Sequence, residues 1–140
     1  MKQKQAIEAL RRVSLFSACT DKELELIMGA TTLLHFDAGS VLATEGAGGH
    51  EFMVITDGKA RVETAGITLA TLSAGDFFGE IALLDAGPRT ASVIAETDLT
   101  AEVIAQREFS ALIERAPHLA KSLLVGLARR LRAADIRLAG

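Results

Sequence analysis

The stretch FGEIALLDAGPRTAS, residues 78–92, decides how the rest of the chain is read. It sets one carboxylate, Glu80, and one guanidinium, Arg89, nine positions apart, with apolar residues, Asp85, Gly87 and Pro88 between them. Gly75 and Gly79 flank Asp76, Phe77 and Phe78, and residues 80–84 can make one or two helical turns before Asp85-Ala86-Gly87-Pro88 breaks them. Free backbone N–H groups at the start of such a turn, beside a glycine that permits close approach, suit a small anion. Arg89, returning after the Gly-Pro turn, offers a planar fork for two phosphate oxygens. Glu80 repels an anion, so beside the same ligand its use is to accept from hydroxyls. A sugar hydroxyl next to a phosphate satisfies both residues. A pairing of Glu80 with Arg89, or of each with backbone groups, is an equal alternative on the chemistry alone.

Working outward, residues 33–103 carry short β-prone runs such as HEFMVI, KARVET and TLATL, punctuated by glycines, and predict a small barrel or roll. On the N-terminal side, AIEALRRVSLF and TDKELELIMGAT place Ile7, Leu10 and Val13, then Leu24, Ile27 and Met28, at helical spacing. Thr20 followed by Glu23 reads as a capping box, which starts the second helix near Asp21. Helical periodicity returns in REFSALIERAP and continues after Pro117. There Ala120, Leu124, Leu127, Leu131, Ala134 and Leu138 form an apolar stripe. The stripe either packs on the domain itself or forms the seam of a two-helix dimer.

Composition narrows the function classes. The chain has 140 residues, enough for one compact domain with a core of its own. Trp and Tyr are absent and there are six Phe, which argues against stacking platforms for single-stranded nucleic acid. The net charge of −3 hides a division: residues 1–12 carry four basic and one acidic side chain, residues 13–106 four and fourteen, and residues 107–140 seven and three. A lone arginine beside a glycine-rich turn in so acidic a middle stands out as an anion contact. The basic ends suit acidic partners or solvated helix faces equally. Cys19 is the single cysteine, which excludes an internal disulfide and the usual zinc and iron–sulfur sites, and suits a reducing cytoplasmic setting. His35, His50 and His118 are too scattered for a His-rich metal site, so no metal is expected. No signal-peptide core or membrane-length apolar run is present, so no membrane insertion is expected.

FGEIALLDAGPRTA closely resembles the phosphate-binding cassette of cyclic nucleotide-binding domains, the type found in catabolite activators, cAMP-dependent kinase regulatory subunits and cyclic nucleotide-gated channels. The resemblance extends to FDAGSVLATEG, FMVITDGKARV, REFSALIERAP and LARRL. It implies an α+β fold over residues 1–140: N-terminal helices to residue 32, an antiparallel β-roll over 33–105, and C-terminal helices over 106–140. Within the roll, a short cassette helix lies in residues 75–92, and the final helix acts as a lid. It also implies roles. Glu80 accepts from the ribose 2′-hydroxyl and Arg89 holds the exocyclic oxygens of the cyclic phosphate. Gly79, Ile81 and Ala82 offer backbone groups, Val62, Leu72 and Phe78 are apolar wall candidates or ordinary core, and Thr90 and Ala91 complete the motif. Thr90 stands where cGMP-binding kinases of the family often use a hydroxyl, yet channel domains that prefer cAMP carry the same Arg-Thr-Ala. On the lid, Arg130, Leu131, Ala134 and Asp135 are matched to positions near the base. Ala134 and Asp135 depart from the hydroxyl-bearing residues of several members, and His50 stands where an acid is usual. Cys19 reads as a structural, half-buried thiol rather than a haem ligand.

The resulting expectation is a cyclic nucleotide receptor, with cAMP favoured over cGMP, and not an enzyme. It needs no cofactor beyond that ligand and works by population shift of the C-terminal helix. The chain stops soon after that helix, which leaves no room for a DNA-reading element and implies no DNA contact. Signalling would pass to a second copy or an effector protein through the helix. The alternatives are an interaction module that has lost the nucleotide and the sensor fragment of a transcription factor or channel.

Overall fold

A computed structural model describes residues 2–44, 46, 51–79 and 91–139. The chain divides into two compact units, Ala30–Ser110 and Met1–Gly29 with Ala111–Gly140. In the first unit the strands are β1 (Thr31–Phe36), β2 (Val41–Ala43), β3 (Glu51–Asp57), β4 (Ala60–Thr64), β5 (Ile67–Leu72), β6 (Phe77–Phe78), β7 (Ser92–Ala95) and β8 (Leu99–Ala105). They form two four-stranded sheets, ordered β1-β8-β3-β6 and β2-β7-β4-β5. Every strand pair is antiparallel. The α+β class with an antiparallel β-roll is therefore as expected. The first strand starts two residues earlier than position 33, because the β-branched Thr31 and Thr32 already pair with Ile104 and Val103.

The core between the sheets is built by alternation. Ala43, Ala60, Val93 and Ala95 from one sheet meet Met53, Ile55, Phe78, Leu99, Ala101 and Val103 from the other in one buried cluster. Strand β3 is central in its sheet and buried on both faces. Met53 and Ile55 enter the inter-sheet core, while Phe52 and Val54 point the other way and are equally buried. On that outer side Phe52 stacks on Phe109, at 4.7 Å between ring centroids, and meets Phe77 at 5.6 Å. Phe109 belongs to α3 (Gln106–Arg115). Each fully buried Phe contributes about 2 kcal/mol from apolar burial.

The chain passes from β3 in one sheet to β4 in the other through a turn at Gly58, whose φ is +92°. A β-carbon there would strike Asp98 O and lie 2.6 Å from Leu99 Cβ, so only glycine fits on both conformational and steric grounds.

The second unit contains α1 (Lys2–Arg11), a 3-10 turn at Ser14–Phe16, α2 (Asp21–Ala30), the rest of α3, and α4 (Pro117–Ala139). Val13 was expected to continue the first helix. It instead adopts an extended conformation ahead of the 3-10 turn and is buried there. The capping box forms as read: Glu23 Oε1 accepts Thr20 N–H at 2.8 Å, and Thr20 Oγ1 accepts Glu23 N–H at 3.2 Å. Arg11 ties the end of α1 to the start of α2 by pairing with Asp21 and donating to Cys19 O at 3.3 Å. Helix α4 opens on Pro117, a residue suited to a first turn because its missing N–H needs no partner there.

The packing face of α4 is not the stripe read from the sequence. Leu119 and Leu123 are buried, whereas Leu124 is 67% and Leu131 64% exposed. Adjacent helix positions diverge by about 100°, so Leu123 and Leu124 cannot serve the same face. The reading in which the stripe packs on its own domain fails at those two leucines. Among the described residues no helix is long and apolar enough to cross a membrane.

Candidate nucleotide site

Two strands carry the ends of the cassette. β6 carries Phe77 and Phe78 along β3, with Phe78 opposite Met53. The turn before it is fixed by Gly75 N–H donating to Ile55 O at 2.8 Å, Asp76 Oδ2 accepting Ser73 N–H at 2.8 Å, and Ile55 N–H donating to Asp76 O at 2.9 Å. Gly79 follows at φ +97°, a left-handed conformation that glycine adopts without strain. On the return side, β7 starts at Ser92 opposite Glu63, with Val93 opposite Val62. β6 lies in one sheet and β7 in the other.

Phe78 is buried in the inter-sheet cluster, and Val62 and Leu72 are half-buried against the same cluster. The three apolar wall candidates are thus brought to one apolar body. Ala91 is half-buried at the start of the return strand. Glu80, Ile81, Ala82, Arg89 and Thr90 lie outside the described residues, as does the expected cassette helix. Arg130 and Ala134 fall within α4, but their side chains are likewise outside the description. His50 is also outside it.

Arg61 Nε donates to Glu63 Oε1 at 2.5 Å on β4. His35, Asp37 and Asp98 are exposed and hold their ligand-type atoms within 4.8 Å of one another. Asp98 Oδ1 already accepts Ala38 N–H at 2.9 Å, so the group reads as a capped turn.

Sequence reasoning missed the pairing of Glu23 with His118. Glu23 is only 5% exposed; its Oε2 accepts His118 N–H at 3.0 Å, and His118 Nδ1 lies 2.7 Å from Oε1. Burial pushes its carboxyl up, but hydrogen bonds from Thr20 and His118 outweigh that and hold it below the ordinary glutamate value. The capping box was the available signal; its second partner, 95 positions away, leaves none in the sequence. Cys19 is buried more deeply than the half-buried thiol expected, at 3% exposure. Burial first, and the Glu23 carboxylate second, push its thiol up to about 11, against a smaller lowering by Arg11. A thiol so held is a poor thiolate ligand at neutral pH.

The sheets, the turn at Gly79 and the two cassette ends define a β-roll binding domain. Residues 33–116 match the cyclic nucleotide-binding domain family, and the chain belongs to that family. The chain is 33% identical over 129 residues to a cyclic AMP receptor protein of Thermus thermophilus, covering 89% of this chain and 60% of that one. It is 35% identical over 104 residues to a cAMP-dependent protein kinase regulatory subunit of Hypocrea atroviridis, covering 74% of this chain and 22% of that one. Among solved structures it resembles the Thermus thermophilus catabolite activator protein at TM-score 0.80 and 34% identity, covering 90% of this chain and 62% of that one. The chain therefore spans less than two thirds of the length of each of these relatives. Those relatives are named as a receptor and a regulatory subunit, and the shared family is a binding domain.

Proposed function

We propose that residues 1–140 form a single cyclic nucleotide receptor domain that prefers cAMP to cGMP and passes the binding signal through α4. The observation that carries this reading is the family match across residues 33–116, which takes in the whole cassette with Glu80 and Arg89. The left-handed Gly79 between β6 and the cassette supports it, because the backbone turns there with no side chain to block an approaching phosphate. In this reading Arg89 holds the exocyclic phosphate oxygens and Glu80 accepts from the ribose 2′-hydroxyl. Gly79, Ile81 and Ala82 present backbone groups, Thr90 and Ala91 lead into β7, and Arg130 and Ala134 face the base. The relatives named for cAMP support the choice of purine. A cytoplasmic setting accords with the single free cysteine.

Calorimetric titration with cAMP and cGMP tests the reading. Arg89→Ala is expected to weaken binding by about 2–4 kcal/mol, since the phosphate loses its charged partner. Glu80→Ala is expected to weaken it less, and 2′-deoxy-cAMP is expected to bind the wild type more weakly than cAMP. No heat with either purine would support instead an interaction module that has lost the nucleotide. A second reading, the sensor portion of a longer transcription factor whose helices pair, is favoured by the exposure of Leu124 and Leu131 seven residues apart. Light scattering that shows a monomer with and without ligand removes it.

A further inference from the structure

We propose that Glu23 is the positioning residue that pins the start of α4 and so governs how that helix answers ligand; the second clause rests on the receptor reading above. The argument begins with what the N-terminus of α4 lacks. Ala116 precedes the helix and has no side-chain acceptor, and Pro117 has no N–H, so His118 carries the first backbone donor that needs an outside partner. Ala116 O instead closes the first turn by accepting from Ala120 N–H at 3.1 Å. The missing cap comes from α2: Glu23 Oε2 takes His118 N–H, and Glu23 Oε1 takes Thr20 N–H and lies 2.7 Å from the His118 ring nitrogen.

One carboxylate thus caps two helices, its own and one that starts far along the chain. A capping-box glutamate that served only α2 would gain nothing by burial, since its backbone bond is made equally well at the surface. Glu23 is buried, accepts two backbone N–H groups and lies against the His118 ring nitrogen, an arrangement that holds an ionised carboxylate against the positive ends of both helices. Thr20 and His118 bond it directly; the next titratable groups are Cys19 on the turn before α2 and Arg11 at the end of α1, which donates to Cys19 O. Beyond this end, α4 buries Leu119 and Leu123 and then exposes Leu124, Val125 and Leu131. A helix clamped at its first turn and exposed further along has its fixed point at His118.

Amide hydrogen exchange, read residue by residue on the whole chain, tests this. Without ligand, Glu23→Ala is expected to speed exchange at His118 at least tenfold while amides of β8 keep their wild-type rates. Glu23→Gln, which keeps one acceptor oxygen, is expected to fall between. With saturating cAMP, the change in exchange over residues 119–127 is expected to drop by half or more in Glu23→Ala, with binding retained because the phosphate contacts are untouched. Wild-type exchange at His118 in a folded Glu23→Ala, or a wild-type response of α4 to ligand, overturns the proposal. If Glu23→Ala does not fold, the same two readings on Glu23→Gln decide. A wild-type chain that binds neither purine nucleotide defeats the receptor reading and the signalling clause with it, and the His118 rate alone then decides the pin.

Discussion

Strand β3 and helix α4 hold their places by opposite means. β3 is seven residues long and buries four in succession, Phe52 to Ile55, two on each face of its sheet. α4 is 23 residues long, buries Leu119 and Leu123 near its start, and exposes Leu124, Val125 and Leu131. The strand is held along its length by packing; the helix is held at one end by a short apolar contact and one buried carboxylate. A binding domain needs both kinds of element, a frame that does not yield and a part whose displacement loses little burial. The difference lies in how burial is distributed along each element.

Variants can break or sharpen this contrast, and the largest effect belongs to the frame. Phe52→Ala is expected to lower the unfolding free energy by about 4 kcal/mol, because it removes a ring stacked on Phe109 and leaves a cavity. Denaturant unfolding followed by circular dichroism checks it, and a loss below about 1 kcal/mol would mean that β3 is not the rigid element. Gly58→Ala is expected to cost about 2 kcal/mol in the same assay, since alanine there is strained by φ and must displace Asp98 and Leu99.

Next come two pH effects at the junction of α2 and α4. Glu23 has its carboxyl lowered in the native state from 4.5, so its stabilisation is present above that value and is lost as pH falls through the native value. The Cys19 thiol is raised from 9.0 to about 11, so its contribution is intact below pH 9 and is lost as pH rises from there towards 11. Thermal unfolding from pH 3 to 11 should therefore fall off on both sides, with Glu23→Gln flattening the acid limb and Cys19→Ala the alkaline one. The smallest effect is on α4: Leu131→Ser should change stability by no more than about 0.5 kcal/mol, since the side chain is 64% exposed. A larger loss that depends on protein concentration would show that a second copy covers the residue.

Much of the frame was legible because its signals are local. HEFMVI, KARVET and TLATL fall on β3, β4 and β5, and Thr20 with Glu23 starts α2 where the capping box puts it. The apolar candidates Val62, Leu72 and Phe78 could be named but not ranked between wall and core, since alternation marks an inward face without saying what lies there. The stripe on α4 was legible as a pattern and misleading as a packing face. Leu123 and Leu124 are both apolar, and periodicity cannot choose between neighbouring faces when each has a leucine. Of the candidate site, the motif carried Glu80 and Arg89, while the structure describes the strands that deliver and receive the cassette around them.

By itself the sequence determined the runs that form β3, β4 and β5, the start of α2, the turn that requires glycine at Gly58, the apolar alternation of the roll and the cassette that marks the family. Each of these is fixed within a few bonds, by backbone sterics, by period-2 alternation or by a short motif. Only the tertiary structure decided that β3 is buried on both faces, that α4 packs through Leu119 and Leu123, and that Glu23 caps a second helix at His118, 95 positions away. Those facts depend on which distant groups remove water from one another, and no local rule of the chain records it.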